Sequence, residues 1–423
     1  LLFLAVIVTD VSAQHSQILY FMNLPQRSSL NPAMRPSSRL YIGLPGISDI
    51  SFRMDNNFLS FPDLFSNGVI SDSTFSFLES GPQLDSFLAG LNDKNSVEPQ
   101  VGVQLFGLGF TVGKDLFVTF DVTERIDGNF VLPGDLLRLV IQGNESYAGT
   151  SIDLSSLRAD FKYYHEVGLG LSKNITERIR VGVRGKMLFG VATASLDNND
   201  LRLKVNDDYT HTLYADMIFN MSGPVNVGMN PAGGLDDLTI DKSKFNTSQG
   251  LVSLLTNAGN PGMGLDLGID YRITDRISVS GAITDLGFIR WKSNRIRLYT
   301  QTEIEFNGLT LQDVYDESVE FDDLLNWTLD SLQYSIYTKN IDDPFTTFLP
   351  FGVTAAASYS PVKAFTVGLL SQTRFIGRQV HESFTLSANM NLWNALSASC
   401  SYTAANQRYD NLGAGLSIRG GWF

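Results

Sequence analysis

Hydrophobic and polar residues alternate with a period of two along much of this chain, most regularly from Gly264 to Thr284. In the first half of that stretch, Leu, Leu, Ile and Tyr occupy every second position, and Asp, Gly, Asp and Arg lie on the other side. After a break at residues 274–276 the alternation resumes. Successive side chains of a strand point to opposite faces of a sheet. The stretch therefore predicts a β-hairpin with one apolar and one polar face.

The same alternation recurs in long segments separated alternately by tight turns and by long connections. Many of these segments exceed the ~5–6 residues that are usual for strands of soluble sheets. Short turns on one rim and long loops on the other are typical of outer-membrane barrels. The pattern predicts an all-β fold, a transmembrane antiparallel β-barrel, with strands at Arg39–Leu44, Ile47–Met54, Val101–Val112, Leu116–Thr123, 160–172, 179–189, 264–284, Asn294–Phe306, Leu332–Thr338, 351–359, 365–369, 384–392, 396–402 and Leu412–Phe423.

The alternative fold is a soluble β-sandwich, in which the apolar faces would cover each other instead of facing lipid. For the barrel, both chain ends are expected on the periplasmic side, so the strand number must be even. Counting Asn294–Phe306 and Leu332–Thr338 in the wall gives about fourteen strands, with twelve and sixteen left open. Residues 201–221 then form a hairpin outside the wall, and extracellular insertions are predicted at about 197–262 and 294–348.

The two ends of the chain carry features of an exported barrel. The apolar run Leu1–Val8, followed by small residues at 11–13, resembles a secretory signal, which assigns residues 1–13 to a partial signal peptide. Residues 14–38 have no clear period and are predicted to be an amino-terminal plug inside a barrel formed by residues 39–423. Trp422 and Phe423 close an amphipathic strand, as in the signal that outer-membrane assembly machinery reads.

Composition narrows the classes of partner. The net charge of −13 and the pI of about 4.7 argue against nucleic acid, since a chain with this net negative charge would not neutralise a phosphate backbone. The single Cys400 excludes an internal disulfide and a multi-thiolate metal site, and it is interpreted as a small hydrophobic residue. No window reaches the ~18 apolar residues of a spanning helix. The expected location is the bacterial outer membrane, with lipid as the main contact.

Charged residues fall on the predicted polar face, which lines the lumen of a barrel. Because unpaired charges at membrane depth are costly, their mixed signs predict pairing across strands that holds a plug in place. A lining for the path of a polar solute is the rival interpretation. The predicted lumen charges are Asp160, Lys162, Glu166, Arg180, Arg184, Lys186, Asp266, Asp270 and Arg272.

The sequence offers no constellation for catalysis or metal binding. None of the four histidines, His165 among them, lies in a nucleophile-elbow setting, and they are interpreted as surface or rim residues. Gly113-Lys114 lacks the remainder of a phosphate loop and is interpreted as a hairpin turn. The acidic clusters at 197–200, 206–208 and 322–323 lack the ligand spacing of a calcium loop. We therefore expect no enzyme activity, no cofactor, no metal and no catalytic residue.

The motif Asn31-Pro32-Ala33 carries a family resemblance; it follows the irregular amino-terminal segment and precedes the first strand. In this it resembles the FadL-like outer-membrane barrels, in which a luminal plug carries such an NPA sequence and leads into a fourteen-stranded wall. The resemblance implies a channel for hydrophobic molecules. Elsewhere the chain is similar to a Bacteroidota group of barrels without assigned function, related to FadL and to PorV of the type IX secretion system. That similarity lies in Arg39–Gly46, Gly182–Gly190, Asn260–Tyr271 and Asp285–Trp291.

Two functions follow as hypotheses. The first is a plugged, FadL-like channel or carrier for small hydrophobic molecules, which predicts an apolar pocket between the plug, with Ile18–Met22 as its candidate apolar residues, and the inner wall. The second is a non-transporting subunit or cargo-binding partner in outer-membrane assembly or protein secretion, like PorV, which would bind envelope proteins through the insertions.

Overall fold

The computed structural model describes residues 20–22, 24–36, 38–45, 48–58, 82–229, 235–241, 244, 247, 249–250, 258–306, 338–340, 343–392, 396–405 and 408–418. The predicted signal peptide and the predicted assembly signal, Trp422 and Phe423, lie outside these residues. Of the predicted plug, the part from Tyr20 onward is described, with single gaps at 23 and 37.

The described chain is dominated by strands. They are β1 (Leu40–Gly43), β2 (Ile50–Asn56), β3 (Lys94–Val112), β4 (Leu116–Pro133), β5 (Ser151–Asp153), β6 (Arg158–Asn174), β7 (Ile179–Val205), β8 (His211–Ser222), β9 (Val225–Met229), β10 (Leu235–Ile240), β11 (Pro261–Arg272), β12 (Ile277–Trp291), β13 (Arg295–Phe306), β14 (Thr338–Asn340), β15 (Phe345–Phe348), β16 (Phe351–Val362), β17 (Phe365–Ile376), β18 (Gln379–Leu392), β19 (Leu396–Ala405) and β20 (Arg408–Ile418).

Helices are few and short. They are α1 (Arg27–Leu30), α2 (Pro82–Gly90) and α3 (Gly134–Gln142), with a 3-10 turn at Glu145–Tyr147. Within the described ranges, no helix combines the length and the apolar composition needed to cross a membrane.

Eighteen strands form one sheet, and β9 and β10 pair separately. The main series of ladders is antiparallel throughout. Strands β1 and β2 both lie along β3, and the order then continues β4, β6, β7, β11, β12, β16, β17, β18, β19, β20. Twelve-residue strands such as β11 and β16 extend about 40 Å, enough to cross a ~30 Å hydrocarbon core at a tilt. We call this series the wall.

Counting β1 and β2 as one, the described strands supply twelve wall positions. The prediction was about fourteen, with twelve and sixteen left open. The predicted wall strand Asn294–Phe306 corresponds to β13, which pairs along its whole length with β8. Of the other predicted strand, Leu332–Thr338, only Thr338 is described, in β14, which pairs with β13.

Strands β8 and β13 are not part of the wall; they continue the sheet past its edge. β7 has 27 residues; its first part pairs with β6 and β11, and its last part pairs with β8. The predicted start of an insertion at residue 197 thus falls inside a continuous strand. Strands β5, β8, β13, β14 and the end of β7 are here called the extension; buried residues of β5, β7 and β8 form its own apolar cluster, with Leu136 and Leu139 of α3 packed against it.

The two faces of the wall differ as the alternation predicts. One face is apolar and exposed on nearly every strand: Leu369 and Leu386, for example, are 56% and 55% exposed. The other face is polar and buried, and Glu166, Asp266 and Thr385 on it are 0% exposed. Burial follows a period of two in β16, where exposed and buried residues alternate from Gly352 to Ala357.

Contacts between distant strands show that the polar face is the concave one. Arg374 of β17 lies 3.1 Å from Asp55 of β2 (Nη1 to Oδ2), and His381 Nε2 of β18 lies 2.8 Å from Glu98 Oε1 of β3. These strands are far apart in the ladder order, so the sheet curves until its first and later strands face each other. Among the described strands, β20 has a ladder with β19 but none with β1 or β2.

Tight turns gather on one rim of the wall. Residues 113–115, 175–178, 273–276 and 363–364 connect consecutive wall strands there, and β1 begins and β20 ends at the same rim. We call it the turn rim. The opposite rim, the loop rim, carries the long connections from β4 to β6, β7 to β11 and β12 to β16.

Candidate functional site

The amino-terminal segment docks on the concave face through Asn31-Pro32-Ala33. Asn31 is 0% exposed, and its Nδ2 donates to Tyr20 Oη at 3.1 Å and to the backbone carbonyls of Ile269 and Gly281 at 3.4 and 3.3 Å. Its Oδ1 accepts a hydrogen bond from the Ala33 backbone N–H at 2.9 Å. The amide of Asn31 therefore joins the segment to the backbones of β11 and β12.

The wall leaves a slot for this motif at two glycines. Gly182 of β7 and Gly268 of β11 face each other in the ladder. A Cβ on Gly182 would overlap the backbone of Pro32, and a Cβ on Gly268 would overlap Asn31 Oδ1. Ser172 Oγ of β6 completes the seat by donating to the carbonyl of Ala33 at 3.1 Å. The motif that suggested the family resemblance is thus fixed by three neighbouring wall strands.

A second contact fixes the start of the segment on β16 and β17, the strands that follow β12 in the wall. The buried side chains of Tyr20, Phe21 and Met34 form an apolar cluster with Ala356 and Leu370 of β16 and β17. A side chain at Gly368 would collide with the ring of Phe21. Tyr20 Oη also lies 2.9 Å from Ser280 Oγ, and burial raises the pKa of its phenol, so the hydroxyl stays protonated.

A buried network of charges lies on the concave face of the strands that precede β12 in the wall. Arg184 donates from Nη2 to Glu166 Oε1 at 2.7 Å, from Nη1 to Asp266 Oδ2 at 3.2 Å, and also to Asp121. The four residues come from β7, β6, β11 and β4. Because removal of two charges from water is costly, such a network persists only where geometry and additional hydrogen bonds repay the desolvation.

Lys186 and Arg125 extend the network. Lys186 Nζ lies 2.5 Å from Asp285 Oδ1, 2.9 Å from Asp266 Oδ2 and 3.7 Å from Glu166 Oε2. Arg125 Nε lies 3.7 Å from Glu166 Oε2. Three cations and four carboxylates thus meet on the concave face. We call the set Asp121, Arg125, Glu166, Arg184, Lys186, Asp266 and Asp285 the charged cluster.

The remaining predicted lumen charges lie outside the cluster. Lys162 Nζ binds Asp160 Oδ2 at 2.6 Å. Arg180 lies 3.7 Å from Asp270 and donates to Asn174 Oδ1 at 2.9 Å. Arg272, the last residue of β11, is instead exposed at the turn rim. The first two pairs therefore line the concave face, and Arg272 belongs to the rim.

Three members of the charged cluster were not among the predicted residues. Asp121 and Arg125 occupy polar positions of the period-two pattern in β4, so the alternation was a signal that could have identified them. Asp285 lies where the pairing of β11 and β12 shifts register at a bulge, and its φ is +62°. A bulge changes which face a residue points to. The strict alternation therefore assigns residues to the wrong face at the bulge, and no signal in the sequence pattern identifies Asp285.

A group of neutral hydrogen bonds lines another part of the concave face. In β18 and β19, Thr385 Oγ1 lies 2.8 Å from Thr403 Oγ1, Ser399 Oγ donates to Asn389 Oδ1 at 2.7 Å, and Asn389 Nδ2 donates to Ser387 Oγ at 2.9 Å. We call Thr385, Ser387, Asn389, Ser399 and Thr403 the hydroxyl lining.

Other candidate chemistry is either structural or lies on the apolar face. Gly113, with φ +64°, forms the turn between β3 and β4, as the interpretation of Gly113-Lys114 as a turn requires. Cys400 is exposed on the apolar face of β19. His165, predicted to be a surface residue, is buried, and its Nδ1 lies 2.6 Å from Glu124. The described residues contain no group of His, Cys, Asp and Glu arranged to hold a metal.

Comparison with known proteins assigns the chain to a family. The model of the "Family of unknown function (DUF5723)" matches residues 32–423. No curated protein matches the chain. Among solved structures, the chain is similar to the toluene transporter TbuX of Ralstonia pickettii, at 11% identity and a TM-score of 0.34, covering 90% of this chain and 76% of that one.

Two further solved structures are similar at the same level. For the toluene transporter TodX of Pseudomonas putida, the identity is 9% and the TM-score 0.33, with 87% and 76% of the two chains covered. For a FadL homologue of Pseudomonas aeruginosa, the values are 10%, 0.31, 77% and 66%. Scores this low assign neither a substrate nor a mechanism.

Proposed function

This chain belongs to the DUF5723 family, and we propose that it is an integral protein of the bacterial outer membrane, a closed β-barrel that acts as a plugged channel or carrier for small hydrophobic molecules. The proposal assigns it no catalytic role. One observation carries the location: the convex face of the wall is apolar and exposed on strand after strand. Soluble monomers rarely expose a continuous apolar patch of more than a few hundred Å². The exposed side chains include Leu40, Ile42, Phe52, Phe110, Leu169, Val183, Leu267, Ile283, Val353, Leu369, Leu386, Tyr402 and Leu412.

Contacts across the concave face support closure of the wall into a barrel. Exposed edges of a sheet are not tolerated in lipid, because backbone N–H and C=O groups find no partner there. The contacts of β2 with β17 and of β3 with β18 bring the two ends of the wall towards each other. Joining β20 to the first strands would satisfy both edges. A barrel of twelve wall positions would have the even number that such barrels require.

The docked segment supports the role of a plug. The segment lies on the concave face, and its seat consists of hydrogen bonds and van der Waals contacts rather than covalent links. Its apolar side chains Tyr20 and Phe21 face the apolar part of that surface at Ala356 and Leu370. Displacement of this contact would open an apolar surface inside the barrel, which is where a hydrophobic molecule would pass.

Flux through the reconstituted protein tests this function. We expect proteoliposomes to take up phenylnaphthylamine and oleate faster than empty liposomes. Gly182→Val should raise the uptake further, because the added side chain occupies the seat of Pro32. Gly185→Val is the matched control, since Gly185 lies on the apolar side of the same strand with open space around it, and it should behave as the wild type does. Uptake at the rate of empty liposomes for both the wild type and Gly182→Val would contradict the proposal.

The alternative function is a PorV-like partner in envelope assembly or secretion. The extension favours it, since a strand of 27 residues is about 90 Å long and carries paired strands well past the membrane. Such a platform would suit a protein partner. Gentle detergent extraction followed by mass spectrometry decides between the two: stable co-purification of envelope proteins supports the partner role, and a lone monomer supports the channel.

A further inference from the structure

The wall carries an apolar groove on its convex face, close to the turn rim. Its volume is about 440 Å³, and it is lined by Ile179, Ile269, Tyr271, Val279, Ser280 and Gly281. Tyr271 pairs with both Ile179 and Val279 in the ladders, and Ile269 pairs with Gly281. The groove therefore runs across three adjacent strands, and the missing side chain at Gly281 makes its floor.

Three arginines surround the end of the groove. Arg178 precedes Ile179, Arg272 follows Tyr271, and Arg276 lies in the turn before β12; all three are exposed. The backbone N–H of Arg272 donates to the carbonyl of Arg178 at 2.8 Å, so these two residues are neighbours across the turns. Glu177 and Asp275 lie in the same turns. Within the described part of the chain, none of the three guanidinium groups forms an ion pair with these or other acids.

We propose that this groove and the rim arginines form a binding site for an anionic phospholipid, with an acyl chain in the groove and the phosphate at Arg178, Arg272 and Arg276. This inference rests on the proposed location in a membrane, with the turn rim at the periplasmic side. The groove residues lie one to five positions from these arginines, which is about 3–17 Å along a strand. That is the depth at which an acyl chain begins below its phosphate. Guanidinium groups bind phosphate oxygens with two parallel hydrogen bonds.

The charge of the protein makes the site selective. The whole chain carries −13 at neutral pH, so an anionic headgroup is repelled from most of its surface. At the groove, three arginines outnumber the acids Glu177 and Asp275 of the same turns, so a phosphate meets net positive charge there. Tyr271 lies between the groove and Arg272, which is the position that aromatic side chains favour at a membrane interface. An apolar groove without the arginines would bind the acyl chains of anionic and neutral lipids equally well.

Native mass spectrometry of the full-length protein in detergent tests the site, with phosphatidylglycerol and phosphatidylcholine of identical acyl chains as probes. We expect the wild type to retain phosphatidylglycerol preferentially. Replacement of each arginine by glutamine should weaken that preference about five-fold, because an exposed basic residue at an anionic membrane surface contributes roughly such a factor. Gly281→Leu should reduce retention of both lipids, since the leucine fills the groove.

Matched controls separate this site from general effects. Arg39→Gln removes a charge before β1, which β3, β4 and β6 separate from β7, and Ala388→Leu adds a leucine to a remote part of the apolar face; both should retain lipid as the wild type does. Equal retention of the two lipids by the wild type, or losses in the controls as large as those in the site variants, would overturn the inference. Insertion of the wild type into phosphatidylcholine vesicles, followed by gel mobility with and without heating, reports the proposed function separately. A protein that inserts but shows no preference refutes the lipid site alone.

Discussion

The charged cluster and the hydroxyl lining occupy the same concave face, yet they hold it together in different ways. In the cluster, Arg184 alone contacts three carboxylates from three other strands. In the lining, each bond joins neutral groups of the same or neighbouring strands, as between Thr385 and Thr403. A buried charge that loses its partner is far more costly than a hydroxyl that does. The cluster is therefore the rigid side of the lumen, and the lining is the side that tolerates change.

Arg184→Met should give the largest effect. It leaves Asp121, Glu166 and Asp266 without their shared partner, and breaking a buried ion pair typically costs about 3–5 kcal/mol. The free energy of unfolding, measured by urea titration in detergent, should fall by an amount in this range. A loss below about 1 kcal/mol would show that the cluster is hydrated rather than buried.

Asn31→Ala should rank second, because it acts on the seat of the plug. The carbonyls of Ile269 and Gly281 lose a donor, and Tyr20 Oη loses a neighbour, at a cost of about 1–3 kcal/mol for unsatisfied buried groups. We also expect faster tryptic cleavage after Arg27 in the folded protein. Unchanged cleavage would mean that the segment stays docked without this amide.

Thr385→Val should have a smaller effect, about 1 kcal/mol, which is the usual net contribution of a neutral hydrogen bond. The double variant Thr385→Val with Thr403→Val removes both partners and should recover part of the loss. Urea titration of the two single variants and the double variant measures this coupling. A loss comparable to that of Arg184→Met would abolish the distinction between the two regions.

Asp200→Asn should have the smallest effect. Asp200 and Arg202 form a pair in β7 with both side chains about half exposed, and solvent screens such pairs. The variant should unfold at the same urea concentration as the wild type. It thus serves as the exposed counterpart of the cluster in the same titration series.

The alternation of residues predicted the faces of the wall but not every partner of every strand. Asn294–Phe306 alternates equally well whether it pairs in the wall or with β8, because a period of two specifies which side chains share a face and not which strand lies beside them. Asn31 could be singled out by its motif, whereas the two glycines that receive it come from different strands. Their meeting depends on the register of β7 with β11.

Long-range contacts on the concave face were beyond the reach of the sequence for a related reason. Glu98 and His381 are far apart in the chain, and they approach only because the sheet curves on itself. Arg374 and Asp55 meet in the same way. Charges that pair between neighbouring strands, such as Arg180 and Asp270, follow from register alone and are easier to anticipate.

Oxygen accessibility along one strand tests the lipid-facing wall most directly. In a Cys400→Ser background, nitroxide labels would be placed singly at positions 384 to 389 of β18 in reconstituted bilayers, and collisions with oxygen and with a water-soluble nickel complex would be measured by electron paramagnetic resonance. If the apolar face contacts lipid, oxygen accessibility is high and nickel accessibility low at 384, 386 and 388, and oxygen accessibility is low at 385, 387 and 389. Equal values at consecutive positions, or high nickel accessibility at the apolar positions, would contradict it.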